Sequence, residues 1–356
     1  MTKIAILGDT HFGARGDSPH FHKLFKKFYE EVFFPYLHTN NIEYIVQLGD
    51  VFDRRKYVNF QTLKNAQEYF FGPLNHPKFT SWLLVGNHDT YYKNTNDVNS
   101  LSLLLTGYEN IRQVHFPTEI GVGDTSILLV PWISPENQTG VFKDMELSKS
   151  QICMGHFEIS GFEMHRGAMC DTGLDGNVFD KFDMVLSGHF HTKSKKGNIT
   201  YTGTPYEMTW SDFEDPKGFH ILDTDTRELT FIPNPFTMFN KVFYDDAGKS
   251  MDEVIAIDFE SYKDTIVKVI IKNKTNPFWF DMFIEKLEKA GPLDLQVVED
   301  HLNLNLEDDS DIINEAEDTL TILNKYVGQL DLNVDRPKLE NLLHTLYNEA
   351  LSMEIA

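Results

Sequence analysis

The chain has only 2 cysteines in 356 residues, Cys153 and Cys170. That is too few for a disulfide framework and suits a reducing cytosol. No apolar run approaches the ~18 residues that a membrane span requires. The short run from Ile4 to Leu7 ends at Asp9, so it does not read as a signal peptide. The expectation is a cytoplasmic protein without membrane contact. Positive charge is also scarce: 32 Lys+Arg stand against 54 Asp+Glu, a net charge of −22. Phosphate binding relies on Lys and Arg, so this argues at first sight against a nucleic-acid partner. The distribution weakens the objection. Residues 1–240 carry 29 acids and 21 Lys+Arg, whereas residues 241–356 carry 25 acids and 11 Lys+Arg. Most of the excess therefore lies in the last third, and no Lys or Arg occurs between Lys289 and Lys325. Charge alone leaves the partner open.

Apolar residues are plentiful, at 41% with 28 Phe and 14 Tyr, and the length implies two or more units. The first 235 residues read as short apolar runs that each end in a polar turn, most of them glycine-containing. They are "KIAILGDTH", "YIVQLGDVFD", "WLLVGNHD", "ILLVPW", "ICMGHFE", "MVLSGHFH" and "ITYTGTP". Residues 21–38 and 58–71 have helical spacing between them. Strands alternating with helices, and continuously apolar strands, predict an α/β domain whose sheet is buried on both faces. Residues 218–233 read as a closing hairpin. After Pro235 the pattern changes: "DTIVKVIIK" reads as a strand, Asn276 and Pro277 open a helix that Gly291-Pro292 stops, and "LDLQVVE" reads as another strand. The expected organisation is a 1–238 catalytic domain, a small α+β unit over 239–298, an acidic linker over 299–311 and two amphipathic helices within 312–356. Leu339, Leu342, Leu343 and Leu346 lie on the apolar stripe of the second helix.

Five of the runs end in residues that bind hard or borderline metals. They supply Asp9 and His11, then Asp50 and Asp53, then Asn87, His88 and Asp89, then His156, then His189 and His191. In α/β sheets ligands gather beyond the carboxyl ends of the strands, so these segments can converge. Carboxylate, amide and imidazole donors without thiolate favour Mn, Fe or Zn over a structural zinc. The inventory exceeds the needs of one ion, and a pair of ions bridged by a carboxylate forms a clamp for attack at phosphorus. His189 and His191, on one side of an extended segment by strand alternation, would each hold one ion. A single Gly-His at a strand end is usually structural, but five such ends in this order leave little room for coincidence.

D-x-H, G-D-x-x-D, G-N-H-D, G-H and G-H-x-H in this order resemble the calcineurin-like metallophosphoesterases. The 203–235 stretch resembles the end of the nuclease domain in SbcD-type DNA repair and recombination nucleases, particularly the recombination endonuclease subunits of T-even-like bacteriophages. The resemblance implies two packed β-sheets flanked by helices, a small capping domain beside DNA, and a helical pair at the C-terminus. It implies two divalent ions, manganese first, with magnesium or iron as alternatives. Asp9, His11 and His191 would hold one ion and Asn87, His156 and His189 the other, with Asp50 bridging. His88 would act beside the leaving 3′ oxygen. Asp53 stands where archaeal and eukaryotic relatives carry a second histidine, and would orient His88 or cap its loop.

The resemblance further implies a homodimer working with an SbcC-type coiled-coil ATPase, docked through the 312–351 helices. Arg54, Arg55, Lys56, Lys93, Lys193, Lys195 and Lys196 lie near the site loops and are candidates for DNA phosphates. Three functions are weighed. The first is a nuclease, 3′-to-5′ on duplex ends and endonucleolytic on single strands. The second is a phosphatase or phosphodiesterase acting on a small molecule or protein. The third is a non-catalytic scaffold, against which the complete ligand set argues. The added unit and tail favour the nuclease over the phosphatase. If phage-encoded, the protein would work in the host cytoplasm.

Overall fold

The computed structural model describes residues 2–165 and 168–299. The chain divides into two units, Met1–Asp300 and His301–Ala356. The second lies outside the described residues, and with it the expected linker beyond residue 299, the 312–356 helices and Leu339, Leu342, Leu343 and Leu346. No helix among the described residues is long and apolar enough to cross a membrane.

Two six-stranded sheets dominate the first unit. In one, the spatial order is Leu229–Pro233, Gly218–Asp223, Lys3–Leu7, Tyr44–Gln47, Thr80–Leu84 and Ile111–Val114. Its last four strands run parallel, and the Gly218–Asp223/Leu229–Pro233 hairpin packs antiparallel beside them. In the other, the order is Ser194–Lys196, Ile199–Tyr201, Met184–Gly188, Ile152–His156, Thr125–Val130 and Thr118–Val122. Its four inner strands are parallel.

The strands are apolar on both faces because each sheet has two different cores to fill. Ile4, Ile6, Val46, Leu84, Ile127, Leu129, Ile152, Met154 and Leu186 form one cluster between the sheets. Their immediate neighbours turn the other way. Ala5, Leu7, Ile45 and Leu83 meet the helices of the first layer, while Leu128, Val130, Cys153 and Val185 meet Val141, Phe157, Phe179 and Phe190. The result is two packed sheets flanked by helices.

The helices of the first layer carry an adjustment legible in their prolines. Pro19–Phe28 continues through a π-turn, Tyr29–Phe33, into Phe34–Thr39. Phe60–Ala66 continues through another, Gln67–Phe71, into Gly72–Leu74. Pro35 and Pro73 follow directly. A proline ring collides with the carbonyl one turn back, and the widened turn makes room for it. At both places the residue before the proline bonds five residues back, Phe34 N–H to Tyr29 O and Gly72 N–H to Gln67 O. The register shift aims Tyr29, Phe33, Tyr69, Phe70 and Phe71 into one aromatic core. Each such ring, fully buried, contributes roughly 1.5–3 kcal/mol. Tyr206 stacks on Phe25 with centroids 3.7 Å apart and donates its hydroxyl to Thr10 O at 2.6 Å. The core thus grips the first functional loop.

A third sheet has Phe239–Asp245, Ile266–Asn273 and Asp294–Glu299, all parallel. The first of these strands has no counterpart in the sequence-based expectation. The helix Pro277–Ala290 covers the sheet. Asn276 Oδ1 accepts from Phe278 and Trp279 N–H, and Gly291 closes the helix at φ 81°, the left-handed conformation that suits glycine. Glu207 joins this unit to the main core by accepting from Met238 N–H at 2.6 Å and Phe239 N–H at 2.9 Å. Burial pushes the Glu207 carboxyl up to about 7, against the two backbone donors.

Candidate active site

The parallel strands ending at Leu7, Gln47 and Leu84 in one sheet and at His156 and Gly188 in the other carry the loops that hold the candidate residues. Those loops do not turn freely. His11, Asp50 and His189 all have positive φ, at 40°, 52° and 86°. Such conformations are costly for side chains with a Cβ and persist where the surroundings over-determine them, typically at functional sites. Two glycines permit the convergence. A Cβ on Gly49 (φ 105°) would lie 2.5 Å from His156 Nδ1, and one on Gly188 would lie 2.5 Å from Asp9 Oδ1.

Two separate side-chain groups with metal-binding donors result, Asp9, His11 and His191, and Asp50, His156 and His189, and a third, His11, Asp53 and His88, shares His11 with the first; the ligating atoms of each lie within 4.8 Å of one another. In the first, His11 Nε2 and His191 Nε2 lie 3.2 Å apart. Asp9 Oδ2 lies 3.9 Å and 3.7 Å from them. Asp50 Oδ2 is 3.8 Å from His11 Nε2 and 3.4 Å from His156 Nε2, so one carboxylate oxygen faces both groups. His156 donates Nδ1–H to Leu48 O at 2.8 Å, which turns the Nε2 lone pair into the site beside Asn87 Oδ1, 2.8 Å away. The other acceptors are spent on the loops: Asp50 Oδ1 takes His88 N–H at 2.7 Å, and Asp9 takes His189 N–H at 2.9 Å.

The electrostatics are those of a site built for cations. Burial alone would lower both imidazoles, yet Asp53, Asp50 and Asp9 raise His11 to about 10, and Asp50 and Asp9 raise His156 to about 9. Burial alone would raise Asp50, but His156, His88 and His11 hold it well below the usual carboxylate range. Burial raises Asp9, with Asp50 adding to it. Desolvation and the charge of His11 push His191 down. Imidazole lone pairs facing each other over shared carboxylates suit divalent ions: an ion between them would replace a proton that only one ring can hold. The residues present therefore fit a metal pair.

Strand alternation does not explain how the two histidines of the G-H-x-H motif are aimed. The strand stops at Gly188, and the positive φ of His189 turns the chain. His189 joins Asp50 and His156 while His191 joins Asp9 and His11.

His88 is half-buried beside both groups, its ring 4.9 Å from that of His11 and edge-on to it. Its Nδ1 bonds Asp53 O at 2.5 Å, which leaves Nε2 available. Asp53 has two separate contacts: its main-chain oxygen holds His88, and its carboxylate lies 3.4 Å from His11 Nδ1. Asp89, grouped with the metal-binding residues from sequence, faces away. Its carboxylate accepts from Gly86, Val51 and Phe52 N–H at 2.9, 3.1 and 3.1 Å, clamping two ligand loops together.

Among the basic candidates, Arg54 is paired with Asp17 at 2.6 Å, and Lys193 lies over the Phe231 ring at 3.4 Å. Arg55 donates to Thr90 Oγ1 at 3.2 Å. Lys56, Lys93, Lys195 and Lys196 are exposed. Sequence reasoning missed Trp132 and Glu158. The Trp132 ring packs 5.3 Å from that of His189, and Glu158 Oε2 is 3.5 Å from His189 Nε2. Trp132 ends the apolar run "ILLVPW", and Glu158 lies two residues past His156, so strand-end position was the available signal for each.

Two packed sheets with this donor set at their carboxyl edges define a metal-dependent phosphoester hydrolase. Residues 2–193 match the calcineurin-like phosphoesterase family, to which the chain belongs, and it is a metal-dependent phosphodiester hydrolase. Among curated proteins it is 32% identical to exonuclease subunit 1 of Enterobacteria phage T4, over 98% of this chain and 99% of that one. It is 28% identical to the SbcD component of nuclease SbcCD from Staphylococcus epidermidis, over 56% of this chain and 54% of that protein. It is 33% identical to the same component from Staphylococcus saprophyticus over a shorter stretch, 24% of this chain and 25% of that protein.

Proposed function

We propose that the chain is a two-metal DNA nuclease of double-strand-break repair and recombination. It would degrade duplex ends 3′-to-5′ and cut single strands internally. The observation that carries this is Asp50 Oδ2, which faces His11 on one side and His156 on the other. Asp9, His11 and His191 would hold one ion, Asn87, His156 and His189 the second, and Asp50 both. Manganese suits the mixed nitrogen and oxygen donors, with magnesium or iron as alternatives. When bound, the pair supplies Lewis-acid neutralisation of the phosphoryl charge and a water of lowered pKa.

The chain's own residues do the rest. Asp53 O accepts from His88 Nδ1–H and fixes the ring, so that its imidazolium form can give the Nε2 proton to the leaving 3′ oxygen and remain as the neutral Nδ1–H ring. Arg55, within the field of Asp50 and Asp89, and the exposed Lys56 and Lys93 would meet backbone phosphates. The relatives' names, an exonuclease and a nuclease, favour a nucleic acid over a small phosphodiester.

The test is digestion of end-labelled duplex DNA with and without Mn²⁺, with a p-nitrophenyl phosphodiester alongside. Mn-dependent release of nucleotides from 3′ ends is expected. Hydrolysis of the small diester with intact DNA would favour a phosphodiesterase or phosphatase acting on small molecules or proteins.

The 239–298 unit would flank DNA, and the chain would act as a homodimer with an SbcC-type ATPase bound through the 312–351 helices. An apolar stripe on an amphipathic helix is a common way to engage a partner's hydrophobic groove. Light scattering of the co-purified complex should count two nuclease chains. Leu343→Asp or Leu346→Asp should abolish co-purification without lowering the melting temperature of the nuclease. Retained binding, or a destabilised nuclease, would assign those helices to the chain's own core.

A further inference from the structure

The stretch from Gly203 to Gly218, "GTPYEMTWSDFEDPKG", closes the catalytic domain but has no role in the chemistry above. At its end lies a lysine whose setting needs explanation. Lys217 is 5% exposed, and its ammonium has three partners. It meets Asp212 Oδ1 at 2.6 Å and Asp215 Oδ2 at 2.8 Å. Its third bond goes to the main-chain oxygen of His191 at 2.9 Å.

Burying such a pair is costly, and apolar residues of similar volume often stabilise a core as well or better. The charge does provide a strong, directed donor, and here it is spent on the carbonyl of a candidate metal ligand. The same carbonyl accepts Thr204 N–H at 3.2 Å. Gly203, at φ 68°, lies so close that a Cβ on it would sit 3.0 Å from this oxygen.

Asp212 is held in turn. Its Oδ2 accepts from Met208 and Thr209 N–H, both at 2.9 Å. Glu207, next to Met208 in the chain, grips Met238 and Phe239. Hydrogen bonds and ion pairs thus run from the His191 loop through this segment to the first strand of the third sheet. The His191 ring faces His11 through Nε2, and what orients it from behind is the backbone that Lys217 holds.

We propose that Lys217, fixed by Asp212, is a positioning residue that sets how tightly the site served by His191 binds its ion. The proposal rests on the metal-pair reading above. The test separates the two by titrating the purified full-length chain with Mn²⁺, following free Mn²⁺ by electron paramagnetic resonance. Melting is measured in parallel in EDTA. Fewer than two ions on the wild-type protein would overturn the pair reading itself.

Given two ions, the informative variant is Lys217→Met with Asp212→Asn, which removes the buried charge pair together, keeps Thr204 N–H on the His191 carbonyl and leaves only the partly exposed Asp215 carboxylate without its lysine. We expect melting in EDTA close to wild type and one of the two ions weakened about 10–100-fold, the usual cost of losing an outer-shell partner. The other ion should be unchanged, and cleavage should be regained in excess Mn²⁺. A folded double variant that binds both ions with wild-type affinity would reduce Lys217 to a core ion pair and overturn the proposal. If the double variant does not fold, Asp212→Asn alone, which keeps the Lys217–Asp215 pair, reads the same quantity. Unchanged Mn²⁺ affinity in that variant overturns the proposal equally.

Discussion

Asp50→Ala should cut DNA cleavage by roughly 10³-fold or more and leave fewer than two Mn²⁺ ions bound. Removing one preorganised donor to a developing charge already costs about 10²–10³, and Asp50 serves more than one function. Its Oδ2 faces both donor groups, and its Oδ1 holds the amide of His88. The substitution therefore removes a shared ligand and loosens the loop of the proposed acid together. Excess metal should not restore the rate, because the lost oxygen, 3.8 Å from His11 Nε2 and 3.4 Å from His156 Nε2, served both groups at once. Metal analysis of the purified variant checks this, and two retained ions would remove Asp50 from its bridging role. Alanine at φ 52° adds backbone strain on the order of 1 kcal/mol, so melting should be followed alongside to exclude unfolding.

For His88→Ser the expected pattern is different. Cleavage should fall by roughly 10²–10⁴, the range for loss of a general acid, while both ions and DNA binding remain. The reason is geometric. His88 Nδ1 is engaged by Asp53 O, and its backbone N–H by Asp50. Its ring is edge-on to His11, outside the pairing of His11 with His191. A substrate whose leaving group needs no protonation, such as a p-nitrophenyl ester, should be much less affected than DNA. If Mn²⁺ is lost together with activity, His88 is a ligand. If both substrates slow equally, its role is transition-state binding and not proton donation.

Several elements could be read directly from local pattern. The helix between Asn276 and Gly291 is one, because an amide cap, a proline at the first turn and a left-handed glycine each act within a few residues. The five glycine-ended apolar runs are another. Where the reading stopped short, the cause was distance along the chain. Periodicity implied a sheet buried on both faces. It could not show that Ile4 and Ile6 face a second sheet while Ala5 and Leu7 face helices, since both environments call for apolar residues. The strand Phe239–Asp245 was missed because its sequence does not alternate as its burial does: Phe243 is apolar yet exposed between buried Val242 and Tyr244, and polar Asn240 and Lys241 interrupt the run. His189 and His191 looked co-facial only on the assumption of an extended chain, which the positive φ of His189 replaces. Lys217 had no local signal at all. Its three partners lie 2, 5 and 26 residues away, and a lysine before a glycine reads as surface.

By itself the sequence determined the donor types, their order and their place at the ends of apolar runs. Those are local properties of composition and spacing. Only the tertiary structure decided which ring nitrogen faces which oxygen. His11 and His191 are 180 residues apart in the chain, yet their Nε2 atoms lie 3.2 Å apart, and that distance depends on how two sheets pack. Packing also made Asp89 a clamp, divided Asp53 between His11 and His88, and buried a charged lysine behind His191. Each of these is a balance between desolvation and partner geometry, and the partners come from segments that only the folded chain brings together.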